Sequence, residues 1–346
     1  MQSSSTPAPD AKASSSEDKS SFEFNADNEH KVHFYSDGNI VLNLQGRLFR
    51  VHKSVLSLHS RVFSDMFSLA LPPSDAEDAD EVQLHDDALK FARVLDALYK
   101  GMTFILVVTL RNCLDIIEIA QKYEMNQVEA CFQGWLLGKL PLSANDALTT
   151  PKYFSRYRND PSLARSVLEY GDPRLHPWAF YCLGVQLTSD LDPTNPSTYS
   201  IPSSLSSLDS SYTYPLFILQ QIISQAFLEW NSSISDFYAV SCANSTTLAD
   251  HGKPECTRTS TAFTAEASPL KISPNEKHRD PVQVLVPHVD NLREALSSHG
   301  GIYCTWCSDC IESVLFTAEG VIRSIHPRLL ECVALLRRPR ISGSTF

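Results

Sequence analysis

Apolar and polar residues alternate between residues 37 and 51, which is the period of half-buried β-strands. The apolar positions fall on every second residue: Ile40, Leu42 and Leu44, then Phe49 and Val51. Between the two groups stands Gln45-Gly46, and glycine tolerates the positive φ that a two-residue hairpin turn requires. The pattern therefore predicts two antiparallel strands joined by a tight turn.

Beyond His52 the apolar residues repeat with a helical period. Ser60 belongs to a residue type that often caps helices, and it predicts a helix from residue 61 to residue 69. The apolar face of this helix would consist of Val62, Phe63, Met66 and Phe67. The two patterns together predict a compact domain of strands and short helices, in the α+β class.

A later amphipathic helix is predicted where apolar residues follow the spacing i, i+3, i+4, i+7, i+8. These residues are Val128, Cys131, Phe132, Trp135 and Leu136. They predict a single core-facing stripe, and Pro141 marks the end of the helix. Residues 104–108 form the longest apolar run, which is too short to span a bilayer. This run predicts a buried strand or the lead-in to the next helix.

The second half of the chain alternates apolar helix faces with segments rich in Ser, Thr and Pro. Helices are predicted at 216–230, 288–299, 308–325 and 327–337. Pro327 would stand in the first turn of the last helix, where a proline is tolerated. We expect Trp178, Phe180 and Leu183 to pack inward.

These patterns predict the following organisation: a disordered Ser- and Pro-rich tail at 1–29, the α+β domain at 30–140, a helical region at 141–187, a linker at 188–215, and a helical C-terminal region at 216–346 with a flexible loop at 244–280. The length of 346 residues allows two modest domains with sizeable cores.

The residues of the predicted α+β domain also match a known family pattern in order and spacing. The matched positions are Asp37, Gly46, Phe49, His52, Lys53, Leu56, Ser60, Phe63, Met66, Phe67, Val82, Leu84, Asp86, Asp87, Leu95, Leu98, Tyr99, Ala120, Lys122, Tyr123, Met125 and Cys131. On these residues the sequence resembles the BTB/POZ family, in a short, fungal-type form with a helical C-terminal extension. The resemblance implies a small mixed sheet flanked by helices, followed by a mostly helical region.

The resemblance also implies a function that depends on surfaces. BTB/POZ proteins self-associate, bind cullin scaffolds as substrate adaptors of ubiquitin ligases, or recruit transcriptional partners. It therefore implies a non-enzymatic protein–protein interaction module, with two roles open: a cullin-type adaptor that binds a scaffold and a substrate protein, or a transcriptional regulator acting through BTB-mediated association. In the family the scaffold contacts correspond to residues 86–125 here. Self-association is expected to be weak or to use another face, because the segment before Val32 offers only Phe22 and Phe24 as anchors for a swapped dimer.

Charge and composition reduce the classes of partner that we expect. The net charge of −11 argues against nucleic acid as a partner, because phosphate binding needs a concentrated basic surface. The N-terminus lacks the apolar core of a secretory signal, and the nine cysteines are dispersed. We expect protein partners and no membrane, in the cytoplasm or the nucleus.

The sharpest candidate for chemistry is the triplet Cys304, Cys307 and Cys310, whose spacing suits zinc. A fourth ligand could come from His299, His326 or Cys332. However, Cys307 and Cys310 also continue an apolar helical stripe through Ile311, Val314, Leu315, Ala318 and Ile322, which favours packing as small hydrophobes. The sequence-based hypothesis is therefore that these cysteines are core residues and that the protein carries no stoichiometric zinc.

A catalytic pair of His52 and Asp37 is the remaining candidate for chemistry. No nucleophile motif and no phosphate-binding glycine loop accompanies it. We expect His52 to bond backbone groups and position the following helix. The sequence thus predicts no enzyme and no catalytic, cofactor-binding or metal-binding residue.

Overall fold

The structure is a computed structural model that describes residues 24–25, 27–69, 80–149, 160–189, 212–240, 242, 256, 281–298 and 306–336. The chain divides into two compact units, Met1–Phe132 and Gln133–Phe346. The predicted tail, linker and flexible loop lie almost wholly outside the described residues, as do His299 and Cys304.

The first unit contains a four-stranded mixed sheet with strand order β1-β3-β2-β4. Its strands are β1 (Glu29–Phe34), β2 (Ile40–Leu44), β3 (Arg47–Val51) and β4 (Asp80–Leu84). β2 and β3 form the predicted antiparallel hairpin, while β1 runs parallel to β3 and β4 runs parallel to β2. Gln45 and Gly46 both have positive φ, at 55° and 80°, as a tight hairpin turn requires.

Strand β1 was not predicted from the sequence. Its inward-facing residues are His30 and His33, which are 6% and 0% exposed. The two buried positions are three residues apart, in a strand whose pairing with β3 is irregular, and both carry polar side chains, so no alternation of hydrophobicity marks this strand. The strand is therefore invisible to a pattern that counts only apolar residues.

The first unit also contains the helices α1 (Lys53–His59), α2 (Arg61–Ser68), α3 (Ala88–Lys100), α4 (Met102–Ile105) and α5 (Leu110–Lys122), together with the start of α6 (Asn126–Leu137). The predicted cap of α2 is confirmed, because the Ser60 side chain accepts a hydrogen bond from the Phe63 N–H at 3.0 Å. Apolar side chains of the sheet and helices form the buried core, including Ile40, Leu42, Phe49, Phe63 and Phe91. The predicted α+β class is confirmed.

The buried stripe of α6 is narrower than predicted. Val128, Phe132 and Leu136 are buried at spacings of four residues. Cys131 is exposed and Trp135 is only half-buried, so their assignment to the core was wrong. The Lys139 ammonium lies 5.7 Å from the centre of the Trp135 ring, a distance at which cation–π attraction operates.

The second unit is helical over its described residues. Its helices are α7 (Ala144–Thr149), α8 (Pro161–Tyr170), α9 (His176–Ser189), α10 (Thr213–Ala239), α11 (Pro281–Ser298) and α12 (Ser308–Leu336), with a 3₁₀ turn at Pro173–Leu175. α12 packs against α9, α10 and α11. Trp178, Phe180 and Leu183 are fully buried, as predicted. None of the helices in the described part of the chain is both long enough and apolar enough to cross a membrane.

Two prolines lie inside helices, where the sequence predicted helix starts. Pro327 lies within α12, and Pro287 lies within α11. A proline in a helix interior loses one backbone hydrogen bond, which usually ends or kinks the helix. In α12 the buried stripe continues in register across Pro327, from Val321, Ile322 and Ile325 to Leu329 and Cys332. Burial of this continuous stripe offsets the lost bond, so one helix replaces the predicted two.

Candidate functional site

A short segment between α3 and α5 exposes a group of apolar side chains in the first unit. The exposed fractions of Met102, Leu106 and Val107 are 75%, 84% and 71%. Met102 begins α4, and Leu106 and Val107 follow directly after its end. The segment lies within residues 86–125, where the family resemblance implies the scaffold contacts.

Buried residues anchor this segment on both sides. Phe104 is 8% exposed, and its ring lies 6.5 Å from the ring of Phe132. Val108 and Leu110 are also buried, and Thr109 caps α5 by accepting a hydrogen bond from the Asn112 N–H at 3.2 Å. Of the two alternatives predicted for residues 104–108, the buried strand was wrong and the lead-in to the next helix is confirmed. The run is a short helix and turn before α5, in which Phe104 and Val108 are buried and Leu106 and Val107 are exposed.

The charged residues of α3 and α5 pair with one another. The Lys90 ammonium lies 2.6 Å from a carboxylate oxygen of Glu118, and Arg93 donates a hydrogen bond to Asp115. Burial raises the pKa of Asp115, while the positive charges of Arg93 and Lys90 counteract part of this effect. These pairs join the two helices that flank the exposed apolar segment.

His52 lies between β3 and α1 and bonds to a side chain of α3, which agrees with the structural role expected for it. Its Nδ1 lies 3.0 Å from the hydroxyl of Tyr99, and its backbone N–H donates to the same oxygen at 3.1 Å. Its Nε2 lies 3.4 Å from a carboxylate oxygen of Asp37, whose side chain is 80% exposed. The ring therefore bonds a tyrosine of α3 and a surface carboxylate, and the expected ring bonds to backbone groups were wrong.

The structure brings two of the three candidate zinc ligands together with two cysteines that the sequence did not indicate. The Sγ atoms of Cys242, Cys256, Cys307 and Cys310 all lie within 4.8 Å of one another. Cys242 and Cys256 are far from the Cys-x-x-Cys pair along the chain, and they stand alone in segments rich in Ser and Thr. No periodic signal surrounds them, so only the three-dimensional structure associates them with Cys307 and Cys310.

The fourth ligands considered from the sequence lie elsewhere or outside the described residues. The ring of His326 stacks on Trp178, with centroids 5.6 Å apart, and burial lowers the pKa of this imidazole. Cys332 is fully buried on the core stripe of α12, and burial raises the pKa of its thiol to about 11. Cys332 therefore stays protonated and packs as a small hydrophobe, the role that the sequence predicted for the whole triplet.

Comparison with known proteins identifies the first unit. The family model of the BTB/POZ domain matches residues 26–134, and this range includes the mixed sheet, the junction at His52 and the exposed segment at 102–107. No curated protein matches the chain. The match agrees with the residue pattern that ran from Asp37 to Cys131. The chain is therefore a BTB/POZ domain-containing protein, with the domain at residues 26–134.

Proposed function

We propose that the BTB/POZ domain of this protein binds a cullin-type scaffold through residues 102–107, so that the protein serves as a substrate adaptor of a ubiquitin ligase. A BTB/POZ domain is a protein–protein interaction module and belongs to a generally non-enzymatic family. The proposed binding of a cullin-type scaffold rests on one observation. Met102, Leu106 and Val107 are exposed, and they lie inside the region where the family resemblance implies scaffold contacts.

The side chains of this segment suit the centre of a protein interface. Covering exposed apolar area with a partner is favourable by about 25 cal/mol per Å². Methionine is enriched in interface cores, and its flexible thioether adapts to the partner surface. Three exposed apolar side chains within six residues therefore form a compact target for a complementary groove.

The anchored backbone of the segment favours tight binding. Phe104 and Val108 fix the segment to the domain core, and the Thr103 hydroxyl donates to the Lys100 carbonyl at 2.7 Å. A surface that is already ordered loses little conformational entropy on association. At one border of the segment, the Lys100 ammonium lies 2.5 Å from an Asp96 oxygen, which supplies the polar rim that surrounds most interface cores.

The proposal is tested by measuring the affinity of the purified full chain for a panel of cullin amino-terminal domains. Leu106→Asp and Met102→Asp place a charge at the centre of the proposed contact. We expect each to weaken scaffold binding by at least about 10-fold, because loss of an interface hot spot costs about 2 kcal/mol or more. Leu58→Asp is the matched control, because Leu58 is 78% exposed on α1, outside the segment. The control should bind with the affinity of the original protein.

Three results would contradict the proposal. If the full chain binds no member of the cullin panel, the adaptor role is wrong. If Leu58→Asp abolishes binding and Leu106→Asp does not, the scaffold contacts another face. Sedimentation velocity on the same variants tests self-association, and a dimer that dissociates only on Leu106→Asp would assign the segment to self-association instead.

A further inference from the structure

Four cysteine side chains from separate parts of the second unit meet at the start of α12. Cys242 follows the end of α10, and Cys256 stands between α10 and α11 in the chain. Cys307 directly precedes α12, and Cys310 lies in its first turn. We propose that these four thiols bind a structural zinc ion that ties the end of α10 to the start of α12.

Two of the distances between the sulfur atoms are close to those of a tetrahedral zinc site. A zinc ion about 2.3 Å from each of four thiolates holds the sulfur atoms roughly 3.8 Å apart. The Sγ atoms of Cys242 and Cys307 are 3.5 Å apart, and those of Cys256 and Cys310 are 3.9 Å apart. A disulfide would bring two sulfur atoms to about 2.0 Å, and none of these four described cysteines forms one. The four thiols thus converge at hydrogen-bond distances and without a disulfide between them.

The surroundings suit sulfur atoms that are bound to zinc. The Cys307 N–H donates a hydrogen bond to the Cys256 sulfur at 3.4 Å, and such a contact orients the ligand and spreads its negative charge. Cys310 lies in the first turn of a 29-residue helix, where the helix dipole stabilises a negative side chain. Zinc binding releases the thiol protons, and the ion neutralises half of the charge of four thiolates.

The ligand spacing and the surrounding side chains both indicate a structural site. Cys307-x-x-Cys310 is the short pair that structural zinc sites commonly use, and the distant Cys242 and Cys256 complete the coordination. The partly buried Phe237 and Trp306 pack against the cysteine cluster, and their rings lie 5.7 Å apart. Four protein ligands fill the tetrahedral shell of a zinc ion and leave no coordination position for a substrate. The ion would therefore stabilise the fold.

Simple hydrophobic packing does not require the sulfur atoms to converge. Cys182 and Cys332 are fully buried in α9 and α12, outside the four-thiol cluster, and they show the packing role. In the cluster, by contrast, each sulfur lies within 4.8 Å of all the others. Thiolate groups of this kind select soft or borderline metals, among which zinc favours a closed tetrahedral shell.

The test begins with the full chain purified under reducing conditions in the presence of zinc. Elemental analysis should find about one zinc ion per chain, the stoichiometry of a four-cysteine site. Replacement by Co²⁺ should produce the intense absorption of tetrahedral cobalt thiolate. Zinc removal by a chelator should lower the unfolding temperature, because the binding energy of a structural metal contributes to folding.

Variants then assign the ligands. Cys307→Ser changes the most accessible ligand and should weaken zinc binding by more than the roughly 10–100-fold typical of losing an outer-shell partner. Cys307→His supplies another zinc ligand and should retain the metal even if the serine variant folds poorly. Cys332→Ala is the matched control, because it changes a fully buried cysteine of the same helix outside the cluster, and it should keep its zinc.

Several results would overturn the proposal. These are a folded chain without metal at saturating zinc, stoichiometric iron in place of zinc, an unchanged zinc affinity in Cys307→Ser, or a mapped disulfide between Cys242 and Cys307 in the reduced preparation. Loss of zinc from Cys332→Ala but not from Cys307→Ser would place the ion elsewhere and would also contradict the assignment.

Discussion

The hydroxyl of Tyr123 donates a 2.5 Å hydrogen bond to the carboxylate of Asp86, across 37 residues of sequence. The same carboxylate accepts from the Lys122 ammonium at 2.5 Å, and it is buried. Burial raises the pKa of Tyr123, and the hydrogen bond to Asp86 acts in the same direction, so the phenol stays protonated. This contact fixes the end of α5 to the residue that precedes the cap of α3.

Tyr123 joins several other parts of the BTB/POZ core. Its ring stacks on Phe63, with centroids 4.6 Å apart, and meets Phe91 edge-on. Its backbone carbonyl accepts a 2.6 Å hydrogen bond from the Ser60 hydroxyl, which also caps α2. One residue thereby links α2, α3 and α5, and its hydroxyl is the group that can be removed with the least disturbance to packing.

We predict that Tyr123→Phe lowers the free energy of unfolding of the BTB/POZ domain by about 1–3 kcal/mol, because a buried carboxylate loses a hydrogen-bond donor. Hydrogen exchange of the α5 amides in the full chain measures this locally. The double variant with Asp86→Asn should show a coupling energy of about 0.5–3 kcal/mol. Tyr214→Phe is the control, because Tyr214 is 62% exposed on α10. A coupling energy of zero would show that the bond contributes nothing.

A second prediction concerns acid sensitivity at His30. Its Nδ1 accepts hydrogen bonds from the His33 N–H at 3.0 Å and the Val32 N–H at 3.3 Å, so this nitrogen carries no proton. Burial lowers the pKa of His30 to about 4, and the neighbouring His33 acts in the same direction. In the unfolded chain a histidine has a pKa near 6.5, so the unfolded state binds more protons between these two values. Stability should therefore fall as the pH falls from about 6.5 to about 4, by roughly 2–3 kcal/mol in total.

The variant His30→Asn tests this directly, because an amide oxygen can accept the same hydrogen bonds without titrating. Its stability should change less between pH 6.5 and pH 4 than that of the original protein, and His85→Asn, at an exposed histidine, should leave the slope unchanged. The carboxyl group of Asp96 affects stability at a lower pH than His30 does. Burial alone would raise its pKa, but hydrogen bonds from His33 and Lys100 lower it, so its contribution is lost below about pH 4. If His30→Asn and the original protein lose the same stability between pH 6.5 and pH 4, His30 is not the cause of that loss.

The family pattern in the sequence was predictive because its residues hold the domain together. Lys122 and Tyr123 both bond Asp86, and the Met125 N–H donates to the Ala120 carbonyl at 2.8 Å. These positions form a connected network in the core, so residue types and spacing were sufficient to predict it. The hairpin and the cap at Ser60 were predictable for the same reason, since each depends on neighbours within a few residues.

The features that the sequence did not reveal depend on contacts without a local signal. Strand β1 buries histidines, and the thiol cluster joins Cys242 and Cys256 to a pair more than 50 residues further on. The exposed segment at 102–107 has the same apolar composition as a buried strand, and only the positions of Phe104 and Val108 decide which side chains face water. Hydrophobicity alone does not distinguish an interface from a core.

The last prediction concerns the packing of α9 on α10 in the second unit. A Cβ added to Gly184 in α9 would lie 2.1 Å from Cδ2 and 2.8 Å from Cγ of Leu219 in α10, which is fully buried. Gly184→Ala should lower the free energy of unfolding by about 1–3 kcal/mol, the usual cost of overpacking. Gly320→Ala is the matched control, because it lies inside α12 with nothing within 4 Å of the added atom. It should raise stability by about 0.5–1 kcal/mol, as alanine does in a helix interior. Calorimetry on the full chain measures both, and combining Gly184→Ala with Leu219→Ala should cost less than the sum of the single changes, because the shortened side chain leaves space for the new methyl group. If Gly184→Ala instead stabilises the protein as much as Gly320→Ala, the two helices do not pack closely at this position.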